Sequence, residues 1–223
     1  MNTLVPWLLA AAVGLALLAF GARLFIEGAA DGARRLRISP MLVGMFLAGF
    51  ATSMPEAVVA AVAAYRDSVE LALGNAVGSN IANIGLVLGA AVLLMGMRRE
   101  RGAGGVELGV MSAVTALACL LVFNQYLSRL DGLLLLAAMP LVAWLLVRNA
   151  GLRRSTEIAD DQAQAPLRSL PRNAAYAAGG LLLLLGGAEL LVRAAQQVAM
   201  IAGVEELVIG ATIVAIGTSL PEL

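Results

Sequence analysis

Thr52-Ser53-Met54-Pro55-Glu56 lies within an apolar stretch, and Thr218-Ser219-Leu220-Pro221-Glu222 lies within another, 166 positions on (218 less 52). The register extends beyond the motif: Gly14 answers Gly180, Gly21-Ala22 answers Gly187-Ala188, Leu24 answers Leu190 and Gly44 answers Gly210. Each copy puts a carboxylate one residue after a helix-breaking proline, in surroundings apolar enough for hydrocarbon. Charge in a bilayer is costly and is kept where it faces a partner, a cavity or an ion. Repetition of a whole bundle of membrane helices is the pattern of secondary transporters, whose sites lie between the repeats. The two stretches predict an ion-transporting membrane protein built of related halves.

Composition agrees. The chain is 61% hydrophobic and 13% charged, far from the balance of a soluble domain. It has no His, and its fifteen basic residues are all Arg. A formal net charge of zero gives no footprint for nucleic acid. The single Cys119 excludes an intrachain disulfide and a multi-cysteine metal site, and reads as a small core or lipid-facing residue. The N-terminal apolar run continues to Ile26 without a basic leader or a clear cleavage site, so it reads as a true span and not a signal peptide.

A bilayer-crossing helix needs roughly 20 mostly apolar residues. Seven such spans follow: Leu4 to Glu27, Pro40 to Tyr65, Val69 to Met97, Val106 to Phe123, Leu130 to Val147, Asn173 to Met200 and Val204 to Leu223. The second and third are expected to weaken at their centres, at Pro55 and across Gly74, Asn75, Gly78, Ser79, Asn80 and Asn83. The organisation is a first repeat of five spans (1–147), a polar tether (148–172) and two spans of a second repeat (173–223). The first, third and fifth loops carry eleven arginines, against Arg66 and Arg129 in the second and fourth. The positive-inside rule then puts the odd loops in the cytoplasm and the N-terminus outside, in a multi-pass protein of the inner (cytoplasmic) membrane. An odd number of spans in the first repeat inverts the second, with a pseudo-two-fold axis in the membrane plane. Carrying the offset to the end of the fifth span predicts a complete chain of about 313 residues. The end at Leu223, one residue past the second glutamate, reads as a C-terminal truncation.

The motif chemistry points to hard cations. Pro55 has no N–H and presses on the carbonyl four residues back, freeing carbonyls near Gly49 to Ala51 that need partners in a bilayer. Thr52 and Ser53 add hydroxyl oxygens, and Glu56 adds charge and two more oxygens. Na⁺ and Ca²⁺ take oxygen ligands, Ca²⁺ about six to eight of them, so two facing motifs plus amides approach a cage. The third span supplies amides in Gly74-Asn75-Ala76-Val77-Gly78-Ser79-Asn80-Ile81-Ala82-Asn83. Asn75, Ser79 and Asn83 are spaced by four and share one helix face. The glycines also suit plain small-residue packing. Arg23 with Glu27, and their repeat equivalents Glu189 with Arg193, read as i,i+4 ion pairs. Asp67, Glu70, Asp131, Glu205 and Glu206 read as solvated span edges, and Trp7 and Trp144 as interfacial anchors.

At these residues the chain closely resembles the cation/Ca²⁺ exchanger superfamily, specifically its prokaryotic sodium/calcium antiporters. The family signatures look like G-T-S-[LM]-P-E, here Ala51 to Glu56 and Gly217 to Glu222, and G-N-x-x-G-S-N-I-x-N, here Gly74 to Asn83 in full. Ala51 replaces the usual glycine. The resemblance covers essentially the whole chain and implies an all-α inverted-repeat exchanger fold of five plus five spans. It implies four cation sites at mid-membrane between the second, third, seventh and eighth spans. Carried over by position, Thr52, Ser53, Glu56, Ser79 and Asn83 would be ligands from the first repeat. Thr218, Ser219 and Glu222 would be their counterparts, with the carbonyls of Gly49 and Ala215 as further Na⁺ ligands. The family's eighth span, with a remaining serine and often an aspartate, has no counterpart here.

The expected function is Na⁺/Ca²⁺ exchange by alternating access, the first and sixth spans sliding past a fixed core. Its substrates are inorganic cations, its surroundings the lipid bilayer, and it needs no cofactor. Ca²⁺/H⁺ or other cation antiport is the alternative, because two carboxylates at one site give protons a way to compete. An inactive fragment lacking the end of the second repeat is a further alternative. An intramembrane metalloprotease would need histidines, so no enzyme is expected. Oligomeric state is not legible.

Overall fold

In the computed structural model, the structure describes residues 4–35, 53–96, 105–123, 127–150 and 169–219. The described residues form seven helices. They are α1 (Leu4–Arg35), α2 (Met54–Tyr65), α3 (Val69–Met95), α4 (Gly105–Val122), α5 (Arg129–Ala150), α6 (Leu170–Ala202) and α7 (Glu206–Ser219). Each expected span has its helix. Among the described residues, α1, α3 and α6 are long and apolar enough to cross a membrane. At 32 and 33 residues, α1 and α6 are roughly 48–50 Å long and overrun a hydrocarbon core of about 30 Å. They outlast the expected spans, so α1 carries Asp31 and Arg34 in a side-chain ion pair beyond its apolar stretch.

The helices divide into two packed units. One holds α1, α2, α3, α6 and α7; α4 and α5 form the other. This division differs from the sequence repeats, which count α4 and α5 with α1 to α3. In the smaller unit, Ser128 and Asp131 close the start of α5 reciprocally. The Ser128 amide donates to the Asp131 carboxylate at 2.8 Å, and the Asp131 amide donates to Ser128 Oγ at 3.2 Å, a capping box. At the other end of α5 the Arg148 guanidinium lies 5.2 Å from the centre of the Trp144 ring, a cation–π pair.

The larger unit has a core rich in small residues, in which Leu18, Val59, Leu71, Leu184, Leu191, Val192 and Val214 are the fully buried large apolar side chains among the described residues. Glycines set its closest approaches. A Cβ on Gly14 would meet the Gly187 carbonyl at 3.0 Å, one on Gly21 the Gly180 carbonyl at 2.9 Å, and one on Gly28 the Ala177 amide at 2.6 Å. Residue numbers rise along α1 as they fall along α6, so the two helices are antiparallel. In the sequence repeat Gly14 corresponds to Gly180 and Gly21 to Gly187, so the first two contacts are one contact seen twice, as a two-fold axis requires. Small residues let membrane helices approach at backbone distance. On the other side of the unit, a Cβ on Gly74 would meet the Leu207 carbonyl at 2.3 Å, and one on Gly78 would meet Ala211 Cα at 2.6 Å. Here numbers rise together, so α3 and α7 are parallel. Antiparallel α1 and α6 with parallel α3 and α7 is the arrangement of an inverted five-span repeat.

Polar contacts tie the turn between α2 and α3 to α6. Arg66 Nε donates to Glu189 at 2.7 Å, and a second guanidinium nitrogen donates to the same carboxylate. Gln196 donates to Ser68 Oγ. Both expected i,i+4 pairs are present, Arg23 with Glu27 at 3.1 Å and Arg193 with Glu189 at 2.6 Å. Glu189 is therefore shared between Arg193 and Arg66. The Arg66 and Glu189 side chains are about a third exposed, where solvent screens an ion pair to about 1 kcal/mol or less. A double-mutant cycle of Arg66→Ala and Glu189→Gln should give a coupling of about 0.5–1 kcal/mol in thermal unfolding. Additive effects would show that the contact contributes nothing.

Candidate functional site

The described part of the second span begins at Ser53, just before α2. Ser53 precedes α2 with non-helical backbone (φ −86°, ψ 5°), and Pro55 occupies the first turn, where its missing N–H costs no helical bond. Pro55 and Glu56 are buried, with Glu56 8% exposed, while Ser53 is exposed. Among the expected ligands of this segment, Thr52 and Gly49 lie outside the described residues.

α3 weakens only at the last residue of the cluster expected to weaken it, Asn83. It runs as α-helix from Val69 through Ala82 and then widens into a π-helical stretch over Asn83–Leu88. The small and amide residues from Gly74 to Ala82 are compatible with regular helix because neighbours pack on them. π-helical turns inside α-helices occur frequently at functional sites, and this one begins at the expected ligand Asn83. α7 has a similar stretch over Gly210–Val214, which ends immediately before the expected ligand Ala215.

Asn75 and Ser79 are buried on one face of α3, and Asn83, on the same line, is partly buried. Ser79 Oγ donates to the Ala76 carbonyl at 3.2 Å. From the second repeat, Ala215, Thr218 and Ser219 are all buried, and Thr218 Oγ1 donates to the Ala215 carbonyl at 3.2 Å. Asn83 Oδ1 and Ser219 Oγ are buried and bonded to none of the described residues, whereas buried polar atoms ordinarily have partners. Glu222 lies outside the described residues.

These residues are brought together by helix packing. The Ala215–Ser219 turn lies against both α2 and α3. Gly78, next to Ser79, has Ala215 Cβ 2.8 Å from where its own Cβ would stand. α1 closes over the second motif, with a Leu15 methyl 2.5 Å from the Cβ position of Gly217. The unit therefore packs together the helices that carry Glu56, Ser79, Thr218 and Ser219. Such a set suits a hard cation.

Within the site, a contact not anticipated from the sequence joins α3 to α2. Asn75 Nδ2 donates to the backbone carbonyl of Glu56 at 3.0 Å. Its alignment with Ser79 was legible from the spacing of four; its bond across to α2 was not.

The family profile described as sodium/calcium exchanger protein matches residues 6–148 and 173–223. The CaxA protein of Alkalimonas amylolytica is 39% identical over 214 residues, covering 95% of this chain and 67% of CaxA. The inner membrane protein YrbG of Escherichia coli (strain K12) is 33% identical over 218 residues, covering 95% of this chain and 66% of YrbG. The chain thus spans about two thirds of the length of these relatives. Among solved structures, the sodium-calcium exchanger NCX_Mj, soaked with Na⁺ and Sr²⁺, matches with a TM-score of 0.55 and 31% identity. That match covers 99% of this chain and 71% of the other. With its all-helical fold, inverted glycine contacts and paired Thr-Ser-x-Pro-Glu motifs, the chain belongs to the sodium/calcium exchanger protein family.

Proposed function

We propose that the protein exchanges Na⁺ for Ca²⁺ across the cytoplasmic membrane as a secondary active transporter. The observation that carries this reading is the burial of Glu56, Ser79, Thr218 and Ser219 in one packed unit that draws on both repeats. Glu56 and Glu222 are the charged ligands in this reading. Thr52, Ser53, Ser79, Asn83, Thr218 and Ser219 add neutral oxygens, and the carbonyls of Gly49 and Ala215 serve Na⁺. Ca²⁺ calls for more oxygens and more negative charge than Na⁺. One carboxylate-containing set shared by both ions makes their occupancy mutually exclusive, which couples the fluxes.

Alternating access is assigned to α1 and α6. Their glycine contacts hold them to each other at backbone distance, and Leu15 of α1 lies over Gly217. A shift of the pair would uncover the second motif from one side. The first repeat is taken as 1–147, the tether as 148–172 and the second repeat as 173–223. Uptake of Ca²⁺ into vesicles loaded with Na⁺, K⁺ or protons in turn tests the function. Uptake driven by the Na⁺ gradient alone is expected; uptake driven only by a proton gradient would replace Na⁺ by H⁺ in this reading.

The N-terminus is placed outside, on the arginine distribution. Cys119 is exposed, so labelling experiments start from Cys119→Ser. Asp161→Cys should then react only from the cytoplasmic side and Gln125→Cys only from outside. Labelling of both from one side would break the five-span repeat.

A further inference from the structure

We propose that Asn75 is a positioning residue that holds Glu56 in its cation-binding orientation; this rests on the exchanger reading above. Asn75 is fully buried in α3. Its Nδ2 donates at 3.0 Å to the carbonyl of Glu56, the residue whose carboxylate that reading makes a ligand. The start of α2 needs such a tie. Ser53 makes no side-chain capping bond there, although an unpinned first turn normally gains its order from a cap. The bond from α3 adds a side-chain tie to a turn that the Ala57 amide closes by donating to the Ser53 carbonyl at 3.1 Å.

The second half of the carboxamide points the same way. With Nδ2 committed to the Glu56 carbonyl, Oδ1 must face away from it. That oxygen is buried and accepts no hydrogen bond from the described residues. Asn75 is also held on its other side: a Cβ on Gly210 would stand 3.1 Å from the Asn75 amide nitrogen and 2.6 Å from the Leu71 carbonyl. α3 is thereby wedged against the π-helical stretch of α7 at the residue that grips α2. A displacement of α7 would be transmitted through Asn75 to Glu56.

The test is a Ca²⁺ titration of thermal unfolding on the purified full chain, paired with initial rates of Ca²⁺ uptake. Asn75→Ala removes the donor and leaves a void; Asn75→Leu removes the donor but keeps the space filled. Both should raise the half-saturating Ca²⁺ concentration about five- to tenfold, the scale of one ordinary hydrogen bond, with less than about a twofold loss of maximal rate. Asn80→Ala is the control: Asn80 is exposed and bonded to its own helix at the Ala76 carbonyl, and its half-saturation should match wild type. Rescue by leucine but not alanine would make Asn75 a packing residue and overturn the proposal. Wild-type half-saturation in both variants would overturn it too, while leaving the exchanger reading intact. A wild-type protein that neither gains stability from Ca²⁺ nor takes it up would remove the exchanger reading and this proposal together.

Discussion

Replacing Glu56 with glutamine is expected to lower Na⁺-driven Ca²⁺ uptake at least about 100-fold, a loss of about 2.7 kcal/mol or more. The substitution keeps the side chain's length and nearly its volume, so packing of the buried residue should survive. What it removes is a formal charge and one of two oxygens able to coordinate. Ca²⁺ shed of its water needs charge compensation that an amide dipole cannot give, because in a poorly screened interior a unit charge interacts far more strongly than in water. Uptake should stay low even at high Ca²⁺, since the lost interaction is made wherever the ion is held during transport. Glu27→Gln is the matched control. Glu27 pairs with Arg23 on α1 at 3.1 Å, with the Arg23 side chain mostly exposed, and such pairs are worth about 1 kcal/mol or less. Near-normal uptake by Glu56→Gln would remove Glu56 from the site and with it the chemistry proposed for both motifs.

Much of this architecture is legible in the residues, for identifiable reasons. The repeat is readable because both copies must satisfy the same requirements: a glycine where a helix approaches at backbone distance, and a proline just before a carboxylate. Gly14, Gly21, Gly180 and Gly187 carry that signal, and their contacts reproduce the offset between the motifs. The ion pairs of Arg23 with Glu27 and Glu189 with Arg193 are readable because a spacing of four is a local property of a helix. What the sequence conceals is long-range. The bonds from Arg66 to Glu189 and from Asn75 to Glu56 join residues 123 and 19 positions apart, and no local periodicity links those positions.

The helix irregularities illustrate the same limit. Glycine and asparagine from Gly74 to Asn83 have poor intrinsic helix propensity, which favoured a weak centre for the third span. In the fold, Gly74 and Gly78 instead receive the backbone of α7, and that packing supports regular helix through Ala82. The irregularity lies over Asn83–Leu88. There Gly85 and Gly89 have none of the described residues packed within 4 Å of their Cβ positions. Tertiary contact thus overrides local propensity at the first stretch. For the site, the consequence is that Asn75 and Ser79 sit on rigid helix, while Asn83 sits where the helix changes pitch. A cation bound by Ser79 and Asn83 would be gripped firmly on one side and more adaptably on the other.

The glycine crossing of α1 and α6 should be as sensitive to volume as Glu56 is to charge. A Cβ on Gly180 would stand 2.3 Å from the Phe25 amide nitrogen and 2.7 Å from the Gly21 carbonyl. Both are backbone atoms of a helix, which cannot rotate aside as a flexible side chain could. Gly180→Leu must therefore separate the helices, at an overpacking cost of about 1–3 kcal/mol, and it also forfeits close contact along the crossing. The melting temperature should fall on the order of 5–10 °C. Gly179→Ala and Gly186→Ala are the controls, since neither glycine has any of the described residues packed within 4 Å of its Cβ position. Alanine there should leave melting unchanged or raise it slightly through better helix propensity, by up to about 1 kcal/mol. The facing helix adds a second requirement: Gly21 lies opposite Gly180 in the same contact, its Cβ position 2.8 Å from the Leu184 amide nitrogen. Gly21→Leu should therefore be as damaging as Gly180→Leu, and the double variant less than additive, because one separation of the helices relieves both clashes. Leucine tolerated at either glycine would mean that α1 and α6 do not meet at backbone distance, and the tight pair assigned to alternating access would have no physical basis.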